Sequence, residues 1–295
     1  DLARIAPVLL DPKFTPSSFM EIYQYDLNNS YETKFNLTLE RELPGNFSFS
    51  LGYLGGRANH LWRSSDANAA PSQFGPDGRE FVAPGTPRLN PTVGVGTIRY
   101  SDAKAFYNAM LFGIKKRLSQ GFTLQSSFTW SKTVDDATTG VANTDYNEGV
   151  AEYPYGPKSD RGLSGIHLGR NLTMNGTWAI PSPADGGALK YITGGWQLSG
   201  IFTASDGTPF SVVNSGRLIP NLKRSTGSRP DLASSDRTLS NIIDGSTNGC
   251  GTATNGTPAG AKLGGPDLFF DPCAFVLPPN NTYGNIGRNT LIGAG

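Results

Sequence analysis

The sequence predicts an all-β chain whose long strands pair as antiparallel hairpins. Three observations predict it: paired segments in which apolar and polar residues alternate, turn residues that join the members of a pair, and long Gly- and Pro-rich stretches between the pairs. The 295 residues include 37 glycines and 21 prolines, and the formal net charge is only +1. A balanced charge gives no electrostatic footprint for nucleic acid, so we expect no nucleic-acid partner.

The first predicted hairpin covers residues 33–54. One face of its first strand carries Arg41 and four apolar residues: Phe35, Leu37, Leu39 and Leu43. The other face is polar: Lys34, Asn36, Thr38 and Glu40. The turn residues Pro44-Gly45-Asn46 precede a return strand in which aromatic and apolar residues again alternate with small ones.

The second predicted hairpin covers residues 106–130. Its second strand alternates cleanly, with Phe122, Leu124, Phe128 and Trp130 opposite Thr123, Gln125, Ser127 and Thr129. The register of its first strand is ambiguous. One set that can share the apolar face is Asn108, Met110, Phe112 and Ile114, and the opposite set is Tyr107, Ala109, Leu111 and Gly113. A β-bulge would reconcile the two.

The third predicted hairpin covers residues 167–204. One face of its first strand carries Leu172, Met174 and Trp178, with Arg170 among them. The other face is polar: Asn171, Thr173, Asn175 and Thr177. The connecting segment contains Pro181 and Pro183, and the return strand begins at Trp196.

The apolar face of such strands lies either on a protein core or on lipid. The predicted strands have about 8–12 residues, close to the roughly 9–11 that cross a bilayer at a tilt. Loops as long as those predicted at 55–104, 131–166 and 214–295 are unusual in a compact soluble domain. Short periplasmic turns and long extracellular loops are typical of an outer-membrane barrel. We therefore expect an antiparallel transmembrane β-barrel segment. A soluble secreted β-sandwich that serves as a binding module is the alternative.

This topology defines two sets of candidate functional residues. The candidate lumen-facing residues are Lys34, Asn36, Thr38, Glu40, Gln125, Ser127, Thr129, Asn171, Thr173, Asn175 and Thr177. They would keep the interior of the barrel hydrated. Individual residues would either contact a plug or a solute, or only hydrate the wall. The candidate aromatic belt consists of Tyr53, Trp130, Trp178 and Trp196, because Trp and Tyr favour membrane interfaces. The alternative is four scattered core aromatics.

The remaining chemistry of the sequence is sparse. Cys250 and Cys273 are either disulfide-bonded or free thiols, and the absence of other cysteines favours the disulfide. Asp135, Asp136 and Asp145 form a weak cation candidate within an acidic loop, for which a solvated outer loop is the simpler interpretation. No phosphate-binding loop, nucleophile elbow or HExxH motif is present, so we expect neither an enzyme nor a cofactor.

Several short stretches, in order along nearly the whole chain, carry a family resemblance. They are Asn36-Leu-Thr-Leu-Glu-Arg-Glu-Leu-Pro with Leu51-Gly-Tyr-Leu-Gly-Gly, Lys116-Arg-Leu-Ser-Gln-Gly-Phe-Thr-Leu-Gln, Phe128-Thr-Trp-Ser-Lys-Thr-Val-Asp-Asp, Gly195-Trp-Gln-Leu-Ser-Gly-Ile with Ser205-Asp-Gly-Thr-Pro-Phe, and Gly284-Asn-Ile-Gly-Arg-Asn-Thr-Leu. In these the chain resembles the barrel region of Oar-like TonB-dependent outer-membrane proteins.

The resemblance implies a 22-stranded barrel with an internal plug in the outer membrane of a Gram-negative bacterium. It also implies the partners: lipid and lipopolysaccharide, the TonB complex acting through segments not in this chain, and a bulky solute taken up or exported. The chain departs from the family in lacking a recognisable plug and final strands. We therefore interpret residues 1–295 as a single partial barrel domain from the carboxy-terminal region. A surface adhesive or structural barrel without transport is the alternative function.

Overall fold

The structure, a computed structural model, describes residues 19–93, 95–136, 160–183, 186–214, 228–233, 242–251 and 256–293. Within them, the main sheet contains six long antiparallel strands in the order β10-β9-β7-β6-β3-β2. The short strand β1 pairs in parallel with β6, and the short strand β8 pairs with β7. The strands are β1 (Phe19–Tyr23), β2 (Tyr31–Leu43), β3 (Phe47–Asp66), β4 (Gln73–Phe74), β5 (Glu80–Phe81), β6 (Val95–Ser119), β7 (Phe122–Asp135), β8 (Gly162–Leu163), β9 (Arg170–Ala179), β10 (Gln197–Ser205), β11 (Pro209–Phe210), β12 (Asp231–Leu232), β13 (Phe275–Val276) and β14 (Leu291–Ile292). Each long strand pairs with the next long strand along the chain, so the sheet is an up-and-down meander.

Tight turns join two of the three hairpins at one end of the sheet, which we call the turn end. Between β2 and β3, Gly45 and Asn46 adopt φ values of 79° and 63°. Between β6 and β7, Gln120 and Gly121 adopt 53° and 74°. Two consecutive positive φ values are typical of a type I′ hairpin turn, which glycine favours. The opposite end of the sheet is the loop end.

The β9–β10 connection is longer and carries the helix α1 (Gly187–Thr193). Trp196, at the end of this connection, donates its indole N–H to the carbonyl of Ile192 at 2.7 Å. Helices long and apolar enough to cross a membrane are absent from the described residues.

The strands extend farther toward the loop end than the sequence predicts. β3 continues to Asp66 and β6 begins at Val95, so the prediction of a loop over all of 55–104 is wrong. The predicted loop 131–166 likewise begins with paired strand, because β7 continues to Asp135. Residues 63–66 are buried, which explains why this part of β3 shows no apolar–polar alternation. The pairing of β3 with β6 is also interrupted by register shifts there.

The long loops pack together at the loop end as a cap, formed by residues 67–93, 160–169 and the described part of 206–293. Three pairs of two-residue strands stabilise it: β4 with β5, β11 with β14, and β12 with β13. Its largest apolar cluster buries Ile242, Ala274 and Leu291. Most of the described part of 214–295 is irregular, as predicted, and the exceptions include the two-residue strands β12, β13 and β14. Strands of two residues are too short for a periodic pattern to reveal.

A disulfide joins Cys250 and Cys273 within the cap, with their Cα atoms 5.4 Å apart. The amide of Cys273 also donates to the side chain of Asp271, at the start of a single 3-10 turn. Asp271 is fully buried and accepts a further hydrogen bond from the hydroxyl of Thr247. The disulfide therefore lies beside a buried polar network.

The structure resolves the ambiguous register of the second hairpin. Ala105 to Lys116 pair with β7 without interruption, and Met110, Phe112 and Ile114 lie on the same face as Trp130 and Phe128. This is one of the two sets that the sequence allowed. The irregularity in the pairing lies lower, between Lys116 and Ser119.

Candidate functional site

Cross-strand pairing brings the predicted polar residues of separate strands onto one face, which we call the polar face. One row consists of Thr38, Gly52, Leu111, Thr129 and Asn171, and the adjacent row of Glu40, Ser50, Gly113, Ser127 and Thr173. The other predicted members fall on the same face: Lys34, Asn36, Gln125, Asn175 and Thr177. Some apolar residues also lie there, including Leu54, Leu111 and Ile201.

The opposite face, which we call the apolar face, is continuous across the sheet. One of its rows consists of Leu39, Leu51, Phe112, Phe128 and Leu172. Its side chains are partly exposed on the inner strands and more exposed on the edge strands, with exposed fractions of 65% for Leu37 and 60% for Leu198. Large exposed apolar surfaces of this kind mark contact with a partner or a membrane.

The aromatic candidates lie in two groups on the apolar face. Tyr53 and Trp130 share a row, each paired with Met110 of β6 between them. Trp178 lies in the row of Phe122, and Trp196 immediately precedes the first pair of β10 with β9. Trp130 and Phe122 are eight residues apart on β7, which is about 27 Å along a strand.

A groove of about 450 Å³ lies at the turn end and is lined by charged and polar side chains of the polar face. Glu42 accepts a hydrogen bond from Arg117 there at 2.7 Å, and both side chains are exposed. Arg117 is in the irregular segment of β6, and its amide donates to the carbonyl of Asn46 in the neighbouring turn. The irregularity thus places a cation beside the carboxylates of β2.

A second groove, of about 460 Å³, lies at the loop end of the apolar face. Its lining includes Tyr53, Asn108, Met110, Trp130, Lys132 and Arg170. Arg170 forms a two-pronged ion pair with Asp206, with nitrogen–oxygen distances of 2.9 to 3.1 Å. This pairing explains how a charge is accommodated among the apolar residues of β9.

His167 forms the buried wall of this second groove. Its Nδ1 accepts a hydrogen bond from the amide of Thr133 at 3.2 Å. Burial, and then the charge of nearby Lys132, lower the pKa of the imidazole, against the opposite effect of Asp206. The ring is therefore neutral at neutral pH, as an acceptor at Nδ1 requires.

The groove at the loop end was missed by sequence reasoning, which stopped the hairpins at residues 54 and 130. Apolar–polar alternation does not continue beyond those points, and only the period of two along an extended strand could have indicated which side the next residues occupy. Arg57 and Lys132 follow Tyr53 and Trp130 at even spacing, and so project from the same face.

The acidic residues at the loop end of β7 are paired rather than solvated. Asp135 is buried and accepts hydrogen bonds from Arg288, and Asp136 accepts from the amide of Lys104. Burial raises the pKa of Asp136, against the hydrogen bond from Lys104. The interpretation of this segment as a solvated outer loop is wrong for both residues, because arginine and backbone donors replace water. Asp145 lies outside the described residues, and within them no group of three metal-binding side chains occurs.

Buried ion pairs connect distant parts of the cap. Arg229 donates to Asp160 at 3.0 Å, and the two side chains are only 4% and 3% exposed. Arg79, whose side chain is partly exposed, donates to Asp231 at 2.8 Å, across 152 positions of the sequence. A buried charge is strongly destabilising when it lacks a partner of opposite charge. These ion pairs therefore determine which loops pack against each other.

A comparison with family models identifies this architecture. The model described as "Outer membrane beta barrel domain" matches residues 6–295. The chain belongs to the outer membrane beta barrel domain family. Comparisons with curated proteins and with solved structures gave no match.

Membership of the outer membrane beta barrel domain family places the protein in the outer membrane. The alternative of a soluble secreted β-sandwich is therefore wrong. The described sheet is not closed, because β2 and β10 each pair on one side only. At the strand tilt of 35–45° found in such barrels, the spacing of the aromatic groups along β7 corresponds to a height of about 19–22 Å, compared with an apolar band about 25 Å tall.

Proposed function

We propose that this chain supplies part of the wall and the outer loops of a TonB-dependent outer-membrane transporter for a bulky solute. The observation that carries the proposal is the two-faced sheet, with a continuous apolar face and a polar face that bears the predicted residues of β2, β7 and β9. In barrels of this kind the apolar face lies on lipid and the polar face on a water-filled lumen. The turn end is then periplasmic and the loop end extracellular.

A wide lumen is supported by the open sheet. Six strands end in the unpaired edges β2 and β10 within the described residues, and unpaired backbone groups are costly in lipid. Further strands must therefore complete the wall, and the diameter of a barrel grows with strand number. Charged groups such as Glu40 and Lys34 on the polar face suit a hydrated passage.

The test uses the full-length protein in the outer membrane and the purified periplasmic domain of TonB. We expect site-specific cross-linking between the two, and solute accumulation that stops when the proton gradient is collapsed. The matched control is the same strain without TonB. The absence of a cross-link, together with unchanged energy-dependent accumulation in cells that lack the protein, would contradict the proposal of transport.

The second candidate is a surface barrel that binds a partner without transport. The folded cap favours it, because three buried clusters and a disulfide make the loop end more ordered than a set of solvated loops. Binding that persists in cells without TonB, together with no energy-dependent accumulation, is the result expected for this candidate.

A further inference from the structure

Three cations lie beyond the aromatic row of the apolar face, at the loop end. Lys132 is exposed and lies two residues beyond Trp130 on the same side of β7. Arg57 lies on the same side of β3, four residues beyond Tyr53. Arg161, also exposed, stacks on Phe106, with its guanidinium carbon 4.6 Å from the ring centroid. We call Arg57, Lys132 and Arg161 the basic cluster.

Arg57 is held in place rather than mobile. Its guanidinium carbon lies 5.1 Å from the ring centroid of Phe106 and 5.9 Å from that of Phe35. Its terminal nitrogens donate to the side-chain oxygen of Asn108 at 3.3 and 3.4 Å, and Tyr53 donates to the same oxygen at 2.9 Å. Asn108 is the cross-strand partner of Lys132, so the two cations flank one amide.

The basic cluster has a local excess of positive charge. None of its three members forms an ion pair with a described carboxylate, whereas Arg170 in the neighbouring row is paired with Asp206. The acid that acts on Arg161 is Asp136, and that side chain is buried and bonded to the amide of Lys104. The guanidinium groups of Arg57 and Arg161 both contact the ring of Phe106 and repel each other, and a bound anion would reduce that repulsion.

We infer that the basic cluster and the adjoining groove bind the phosphorylated sugar headgroup of a lipopolysaccharide molecule in the outer leaflet. The cations supply charge-assisted hydrogen bonds to phosphate. Trp130 and Tyr53, which line the groove, supply flat rings for sugar. The apolar rows below them continue the lipid-facing surface on which acyl chains lie. This inference rests on the orientation of the wall proposed above, and does not require coupling to TonB.

The test measures binding to the full-length protein in detergent by native mass spectrometry. The probe is a lipid A that carries two phosphates, compared with the same glycolipid after removal of its phosphates. We expect the dephosphorylated form to bind at least about tenfold more weakly, the scale of a lost hydrogen bond to a charged group. Phosphatidylglycerol and inorganic phosphate, added as competitors, distinguish a glycolipid site from a general phosphate site.

Matched variants assign the effect to the basic cluster. We expect the double variant Arg57→Gln/Lys132→Gln to reduce lipid A binding at least about tenfold, and Lys132→Arg to retain it. Lys115→Gln removes the same charge from the same hairpin on the polar face, and is expected to leave binding unchanged.

Three results would overturn the inference. They are equal binding of the phosphorylated and dephosphorylated forms, equal loss in the Lys115→Gln control, and full displacement by phosphatidylglycerol or inorganic phosphate. If the double variant does not assemble, the comparison of the two glycolipids on the unaltered protein decides. The binding of lipid A can be measured even if the protein does not cross-link to TonB, so the two proposals can fail independently.

Discussion

Arg288 donates to Asp135 across 153 positions of the sequence, to both its carboxylate and, at 2.8 Å, its backbone carbonyl. The side chains are each only 7% exposed. Arg288 also donates to the carbonyl of Asp160 at 2.8 Å. One guanidinium thus joins the top of β7 to two loops, which makes this contact a clamp between the wall and the cap.

We expect Arg288→Ala to open the cap without unfolding the strands of the wall. Removing one partner leaves the other charge buried and unpaired, at a cost of about 3–5 kcal/mol. The measurement is protease cleavage of the cap on intact cells, compared with heat-modifiable migration of the barrel on a gel. The double variant Arg288→Met/Asp135→Leu removes both charges and should be cleaved more slowly than Arg288→Ala. Cleavage of the single variant at the unaltered rate would show that the clamp is dispensable.

The two faces of the wall predict opposite results at adjacent positions. Leu172 lies on the apolar face and Thr173 on the polar face. A charge near the bilayer midplane on the lipid side costs about 2–4 kcal/mol, and one in a wet lumen much less. We expect Leu172→Arg to abolish assembly into the membrane and Thr173→Arg to be tolerated. The measurement is the amount of folded protein in the outer-membrane fraction, and equal amounts for the two variants would reject the assigned faces.

The sequence predicted the faces of the wall because alternation is a local property. Thr173 and Leu172 could be assigned from neighbours two positions away, since a strand has a period of two. The same rule failed above residue 58 of β3, where the register shifts and the buried residues 63–66 are all polar or charged. Contacts such as Arg79 with Asp231 join positions 152 apart, and no local pattern records which arginine meets which aspartate.

The basic cluster, too, could be predicted from the sequence only in part. Lys132 could be assigned to the side of Trp130 from sequence, because it lies two residues farther along the same strand. Its relation to Arg57 depends on the pairing of β3 with β6 and of β6 with β7. That pairing extends into a stretch that composition alone assigned to a loop.

The disulfide predicts a local effect of reduction. The bond between Cys250 and Cys273 closes a loop with a sequence separation of 23, for which the chain-entropy model gives about 3 kcal/mol. We expect Cys250→Ser/Cys273→Ser to increase protease cleavage between the two positions by about a hundredfold, the equivalent of that free energy. The control is the oxidised protein treated with a thiol reductant, which should reach the same rate. Loss of the barrel itself on reduction would contradict a role confined to the cap.

Because the cap buries a carboxyl group, we expect the stability of the cap to depend on pH. Glu80 is 8% exposed and accepts a hydrogen bond from the hydroxyl of Ser72. Burial raises its pKa, against the hydrogen bond from Ser72 and with a further rise from the charge of Asp160. Because the pKa is higher in the folded than in the unfolded state, folding favours the protonated form. The stabilisation from this proton is complete below the unfolded pKa and is lost as pH rises through the folded pKa.

Glu80→Gln keeps an oxygen that accepts from Ser72 and removes the buried charge. We expect the variant to be more stable than the unaltered cap at neutral pH. This advantage should shrink as pH falls through the raised pKa, and vanish below the unfolded pKa near 4.3. The measurement is the free energy of cap opening, obtained from native-state proteolysis at a series of pH values. Asp77→Asn, at an exposed acid of the same loop, should show no such advantage. An advantage for Glu80→Gln that stays constant with pH would mean that packing, and not the buried charge, is responsible.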